Sequence, residues 1–103
     1  MKVSEIADKL GGNVIVETDA DPRAFYAGDF LSRVMGKAPS DSVWITVMGN
    51  VNVAGVAVLA EVKVVVVCEG VIPAEQLIEK CKEENIALVT TDKGVYECCR
   101  LVG

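Results

Sequence analysis

The feature that most constrains the fold is the apolar segment at the centre of the chain, residues 43–67. It runs VWITV, then the turn MGNVN, then VAGVAVLAE and VKVVVV. Short runs rich in Val and Ile on either side of a helical segment are typical of parallel strands that are covered on both faces. The segment therefore predicts a buried strand, a turn, an apolar helix over residues 51–60 and a second buried strand, which form one βαβ unit.

Helical and extended patterns flank this unit on both sides. They predict the order α-β-β-α-β-α-β-α-β-α, with the second strand at a sheet edge. The remaining predicted elements cover residues 3–10, 13–17, 23–28, 30–37, 73–85, 86–90 and 93–101. We expect an α/β fold, with a small, mostly parallel sheet of four to five strands flanked by helices, in a single domain over residues 1–103.

Charge and hydropathy exclude two classes of partner. Ten Lys and Arg against fifteen Asp and Glu give a net charge of −5, which repels a nucleic-acid backbone. Residues 42–60 carry no charge over 19 positions, close to the ~20 that a membrane span needs. Gly49, Asn50 and Asn52 interrupt this stretch, however, so we predict neither nucleic-acid binding nor a membrane span. With no signal peptide at its start, the chain is expected to be cytoplasmic.

The residues that usually carry catalysis are missing. The chain has no histidine, so it lacks the Ser-His and Cys-His pairs of nucleophilic enzymes, and neither a P-loop nor a GxGxxG motif occurs. The four cysteines fit no zinc or disulfide spacing and are predicted to be reduced, mostly buried thiols; they are Cys68, Cys81, Cys98 and Cys99. We expect a protein that is not an enzyme and has no cofactor or metal.

The central helix predicts self-association. Residues 51–60 have almost no polar face, and a helix that is apolar all round is buried on both sides. The sheet can cover one side, but a chain of 103 residues has too little protein left for the other. The uncovered side is therefore a predicted self-association surface, and we expect a homodimer with two-fold symmetry.

The turn before the central helix is the first candidate ligand site. Ligands of open parallel sheets bind outside the carboxyl ends of the strands. At Gly49 the backbone can approach a ligand closely, the helix start offers free N–H groups to an anion, and Asn50 and Asn52 add side-chain donors. On this interpretation Gly49→Val removes binding and leaves the fold intact. The alternative is structural: Asn50 caps the helix and Gly49 turns the chain.

Two further turns are candidates at the same edge. Gly28, Asp29 and Ser32 precede and begin a helix, and the alternative is that Asp29 is the N-cap, with Ser32 in the first turn. Thr90 and Thr91 end the last strand and could bind a polar ligand by hydroxyl and backbone groups. The alternative there is that Thr91 or Asp92 caps the last helix.

The order of these blocks resembles a known family. The blocks are MKVSEIADKLGGNVIV, an Asp-Pro-Arg turn, AGDFLSRVM, VWITV followed by NVNVAGVAVL, and VVVVCEG. Together they resemble the DRTGG domain family, which is similar to the N-terminal domain of HPr kinase/phosphorylase. Asp21 and Arg23 look like the D-R of the family name, with Pro22 between them. Gly28 looks like its closing glycine, and the preceding glycine is Ala27 here.

The resemblance implies a regulatory or ligand-binding module. Such modules lie beside pyrophosphatase, phosphotransacetylase or kinase domains, have no catalytic activity of their own and associate as dimers or larger oligomers. We therefore expect a homodimeric regulatory module that binds a small anionic or phosphorylated ligand, with an adenine nucleotide as a candidate. The alternative is an interaction subunit that docks onto a separate metabolic or redox enzyme and binds no small ligand.

Overall fold

The computed structural model describes all 103 residues, which form five helices and five strands in the predicted order. The helices run only seven to nine residues, and none is long and apolar enough to cross a bilayer. The elements are α1 (Val3–Leu10), β1 (Asn13–Val16), β2 (Ala24–Ala27), α2 (Leu31–Lys37), β3 (Ser42–Thr46), α3 (Asn52–Leu59), β4 (Val64–Val67), α4 (Glu75–Glu83), β5 (Ala87–Thr90) and α5 (Val95–Val102).

The five strands form one sheet in the order β1-β5-β4-β3-β2. Strands β2, β3, β4 and β5 are parallel, and β1 pairs antiparallel with β5. The predicted α/β class and mostly parallel sheet are therefore confirmed, as is the position of β2 at an edge. The carboxyl ends of four strands lie along one edge of the sheet, and the amino end of β1 joins them there.

Helices cover both faces of the sheet, so β3 and β4 are buried on both sides. Alternate residues point to opposite faces: Trp44 and Val65 pack beneath α2, α3 and α4, whereas Val43 and Val64 pack beneath α1 and α5. This arrangement explains why the two strands are continuous apolar runs rather than alternating ones.

Helix α3 is buried on one side only. Val53, Ala54, Val56 and Ala57 pack on the sheet, but Leu59 is 73% exposed. As expected for a chain of this size, the sheet covers one side of the helix and no other element of the chain covers its outer face, and self-association through that face stays a prediction. The outer face consists of Val51, Gly55, Val58 and Leu59, and we call it the α3 face.

Three helices end in a residue with left-handed backbone geometry: Gly11, Glu61 and Asn85, each with φ near 58°. After α3, Glu61 N–H donates to the carbonyl of Val58, and the following residue donates to Ala57. This pairing is the Schellman arrangement, which satisfies the last carbonyls of a helix and turns the chain back. At these ends it returns the chain to the next strand.

The predicted helix starts are less accurate than the ends. Helix α2 begins at Leu31 and its N-cap position is Phe30, not Asp29. Helix α5 begins at Val95, with Gly94 at the N-cap, and neither Thr91 nor Asp92 caps it. Both predictions of a side-chain cap are wrong. Asp29 and Thr91 bond to neighbouring elements instead, as described below, and the side chain of Asp92 forms no hydrogen bond.

Candidate ligand-binding site

The carboxyl edge of the sheet brings together the loops that carry all eight predicted site residues. Gly28 and Asp29 follow β2, the turn with Gly49, Asn50 and Asn52 follows β3, and Thr90 and Thr91 lie at the end of β5. Ser32 lies in the first turn of α2 and is exposed. Their order across the edge follows the strand order, so the group after β2 and the group after β5 lie on opposite sides of β3 and β4.

Asp29 is tied to the end of β3. Its Oδ1 accepts the hydroxyl proton of Thr46 at 2.6 Å and the backbone N–H of Val47 at 2.9 Å. Trp44, on the same strand, donates its indole N–H to the carbonyl of Gly28 at 2.8 Å. These bonds fix the loop after β2 against β3, and they explain why Asp29 does not cap α2. One carboxylate oxygen of Asp29 is thereby used within the protein.

Gly49 packs against the loop between β4 and α4. Its carbonyl accepts the N–H of Ala74 at 2.8 Å, and a Cβ on Gly49 would lie 3.1 Å from Val71 Cγ1 and 3.3 Å from the carbonyl oxygen of Ile72. Such contacts leave no room for a valine. We therefore expect Gly49→Val to disturb the fold as well as any binding, and the site is better tested at other residues.

The turn after Gly49 carries unpaired backbone donors. Asn50 Oδ1 accepts the N–H of Asn52 at 3.0 Å, which is the structural role that the sequence left open for Asn50. The backbone N–H groups of Gly49, Asn50 and Val51 donate to no acceptor in the protein. Free N–H groups at the start of a helix are the donors through which helix N-termini bind anions. The side chain of Asn52 is exposed and free to donate beside them.

Thr90 and Thr91 have different environments. Thr91 is buried, and its hydroxyl donates to the carbonyl of Leu10 at 2.9 Å and accepts the N–H of Lys93 at 3.2 Å. Its hydroxyl is thus used in joining β5 to the end of α1 and cannot also cap α5. Thr90 is half-buried and lines an open cleft.

That cleft has a volume of about 290 Å³ and lies between β1, β5 and the loop after β4. Ten residues line it: Gly11, Asn13, Ile15, Gly70, Val71, Ile72, Pro73, Thr90, Thr91 and Asp92. Of these ten residues, only the two threonines are site residues predicted from the sequence. Asn13 was missed because β1 is antiparallel to its neighbour, so that the start of this strand lies where the other strands end.

The cysteines lie away from these loops or are enclosed by the core. Cys68, Cys81 and Cys98 are fully buried, and only Cys99 is partly exposed. Burial raises the pKa of the Cys68 and Cys98 thiols and raises the pKa of Cys81 to about 11. Their thiolates, the nucleophilic form, are thus disfavoured. The predicted buried thiols are confirmed for these three residues.

The fold is similar to a solved structure of the CBS and DRTGG domains of the regulatory region of Clostridium perfringens pyrophosphatase, complexed with the activator diadenosine tetraphosphate. The TM-score is 0.82 and the identity is 17%. The match covers 97% of this chain and 45% of that chain, so this chain spans less than half of its length. No family model matches the sequence, and no curated protein matches it. The comparison supports the expected DRTGG-like fold.

Proposed function

We propose that this protein is a non-catalytic regulatory module of the DRTGG family that binds a small anionic ligand, an adenine nucleotide, and self-associates. The main support for the proposal is the share of the chain that has the same fold as the solved regulatory region. Nearly the whole chain, 97%, superposes on part of a regulatory region whose activator is a nucleotide. The likeness to the N-terminal domain of HPr kinase/phosphorylase, read from the sequence blocks, belongs to the same proposal.

The carboxyl edge of the sheet is the proposed ligand-binding surface. The free N–H groups of Gly49, Asn50 and Val51 offer donors to a phosphate, and the side chains of Ser32 and Asn52 extend them. A net charge of −5 opposes an anionic ligand at long range. Local N–H donors are therefore the groups that would hold the phosphates. Because salt screens the long-range repulsion, the anion is expected to bind better as ionic strength rises from very low values.

The α3 face supports the self-association part of the proposal and also a second candidate function. Val58 and Leu59 are exposed on a helix that carries no charged residue. A partner that covers them could be a second copy of this chain. In the second candidate function it is a separate metabolic or redox enzyme, onto which the protein docks as an interaction subunit without any small ligand.

A thermal-shift screen tests the ligand part of the proposal. Purified protein is heated with adenosine mono-, di- and triphosphates, other nucleotides and phosphorylated metabolites, with light scattering on the same sample. A ligand at about 100 times its dissociation constant stabilises the native state by about 2.7 kcal/mol, which raises the melting temperature of a chain of this size by several degrees.

The outcomes separate the two functions. A shift with adenine nucleotides on a dimeric protein supports the regulatory module. A flat screen on a well-folded protein contradicts it. In that case, recovery of one stoichiometric enzyme in affinity purification from the source cell, lost when Leu59 is replaced by Lys, would favour the interaction subunit.

A further inference from the structure

The cleft beside β1 is built by an irregularity in the sheet. Asn13 pairs with Thr90 across the antiparallel ladder, and directly opposite side chains share one face about 5 Å apart. The pairing shifts between Val14 and Val16, so Ile15 is the extra residue of a bulge. Bulges are frequent next to functional sites, where they redirect a side chain. Here the bulge brings Ile15 into the cleft wall beside Asn13 and Thr90.

Several polar groups of the cleft have no hydrogen-bond partner within the protein. The side chains of Asn13, Thr90 and Asp92 form no hydrogen bond, and neither do the backbone N–H groups of Ile72 and Asp92. The other threonine of the cleft, Thr91, has its hydroxyl fully used. The cleft thus offers an amide, a hydroxyl, a carboxylate and two N–H groups to a ligand.

The apolar groups of the cleft are unusually exposed. Ile72 is 88% exposed and Ile15 is 38% exposed, and both line the opening. The loop that carries Ile72 is held in place by the bond from Ala74 N–H to Gly49 and by the contact of Gly49 with Val71. An exposed isoleucine on a fixed loop, in the same cleft as a second exposed isoleucine, offers apolar contact surface to a flat ligand group.

One cation lies near the opening. Lys93 Nζ is 3.1 Å from the position that a Cβ on Gly11 would take, and Gly11 lines the cleft. Lys93 forms no ion pair; the two ion pairs of the protein involve other residues. The cleft itself presents the Asp92 carboxylate, and the Lys93 ammonium group lies beside its Gly11 wall.

From this arrangement we infer that the cleft binds the nucleoside end of the adenine nucleotide. The base packs between Ile15 and Ile72, and the Asn13 amide, which carries both a donor and an acceptor, pairs with a polar edge of the base. The Asp92 carboxylate accepts the ribose hydroxyls, and the phosphates extend from the cleft along the carboxyl edge of the sheet. The inference rests on the proposed function, which it deepens by assigning the subsite, and a volume of about 290 Å³ suits one nucleoside.

An NMR titration of isotope-labelled protein with AMP tests the assignment. We expect saturable shifts in the backbone amides of Asn13, Ile72 and Asp92. Saturable shifts confined to residues 49–52 would overturn the cleft assignment and leave the proposed function standing. An absence of shifts anywhere, with a well-dispersed spectrum of the folded protein, would overturn both.

Two substitutions and a modified nucleotide make the test specific. Asp92→Asn should weaken AMP binding about tenfold, since a charge-assisted hydrogen bond is lost, and Asp19→Asn, an exposed aspartate in the loop between β1 and β2, should have no effect. Dideoxy-AMP, which lacks both ribose hydroxyls, should bind the wild type about tenfold more weakly than AMP and should bind Asp92→Asn as AMP does. If Asp92→Asn still bound dideoxy-AMP about tenfold more weakly than AMP, that result would contradict the role of Asp92.

Substitution of the exposed isoleucine tests the base contact. Ile72→Ala removes a side chain that is 88% exposed and should leave the melting temperature unchanged while it weakens AMP binding about fivefold, in proportion to the apolar area lost. Tyr96→Ala is the matched control, because Tyr96 is 79% exposed on α5, across the sheet from the cleft. Equal affinity of Ile72→Ala and wild type would contradict the proposed base position.

Discussion

The Asp29 carboxylate accepts the hydroxyl proton of Thr46, with 2.6 Å between Oδ1 and Oγ1. Thr46 is fully buried at the end of β3, whereas Asp29 lies in an exposed loop after β2. The bond therefore joins the first loop of the proposed ligand surface to β3, a strand that is buried on both faces. It gives that loop a fixed position before any ligand binds.

We predict that Asp29 and Thr46 are energetically coupled through this bond. Asp29→Ala should destabilise the protein by about 1 to 2 kcal/mol, because the buried hydroxyl of Thr46 and the N–H of Val47 lose their acceptor. Combined with Thr46→Val in a double-mutant cycle, the two changes should be non-additive by about 1 kcal/mol. Urea unfolding, followed by the fluorescence of the single tryptophan, Trp44, is the measurement. Strict additivity would show that the bond does not contribute to stability.

A second prediction concerns the left-handed residue after α3. Glu61 has φ of 58°, a conformation that costs a residue with a side chain about 1 to 2 kcal/mol and costs glycine almost nothing. Glu61→Gly should therefore stabilise the protein by about 0.5 to 1 kcal/mol in urea unfolding, after the greater chain entropy of the unfolded glycine is allowed for.

The matched control for that change is Glu79→Gly. Glu79 is an exposed residue inside α4, and the same substitution there should destabilise the protein by about 1 kcal/mol. The two variants make the same chemical change and should have opposite signs. A loss of stability in Glu61→Gly as large as that in Glu79→Gly would contradict the helix-end geometry.

A third prediction follows from the raised pKa of Cys81. Burial holds the pKa of this thiol at about 11 in the folded protein, against about 8.5 in an unfolded chain. Above pH 8.5 the unfolded state loses the proton first, so the free energy of unfolding falls as pH rises and levels off beyond pH 11. The contribution of Cys81 over this range is about 3 kcal/mol.

Comparison with Cys81→Ala isolates that contribution from the titration of other groups. The variant is less stable at neutral pH because it leaves a small cavity, but its stability should fall less steeply between pH 8.5 and pH 11. Urea unfolding of both proteins across this range is the measurement. Parallel pH profiles would show that Cys81 titrates equally in both states.

How far the sequence predicts the structure differs between strands and loops. The Val runs of β3 and β4 predict buried parallel strands because burial on both faces leaves no polar position, and the structure confirms them. The helix starts at Leu31 and Val95 were placed two residues or fewer too early. Asp29 and Thr91 resemble caps in sequence, yet their bonds go to β3 and α1, which are distant along the chain.

The candidate site was only partly predictable for the same reason. Loops after parallel strands can be listed from the sequence, and Thr90 does line the cleft. Asn13 and Ile15 could not be found in this way, because their positions depend on the antiparallel pairing and the bulge of β1. Alternation within a four-residue strand is too short to reveal either feature.

A fourth prediction tests the α3 face. Leu59→Lys places a charge at a position that is 73% exposed in the single chain, so the monomer should remain folded while a dimer that buries this face dissociates. Tyr96→Lys, at a site 79% exposed on α5, should leave the dimer intact. Light scattering gives the mass of each variant. An unchanged dimeric mass in Leu59→Lys would place the interface elsewhere.

The most direct test of the proposed function is native mass spectrometry of the wild-type protein with ADP, since one spectrum reports both ligand occupancy and oligomeric state. The account predicts a dimer whose peaks shift by the mass of one and then two ADP molecules as the nucleotide concentration rises, with GMP and inorganic phosphate occupying fewer sites. A monomer that carries no nucleotide at any concentration, from a sample shown to be folded by circular dichroism, would contradict it.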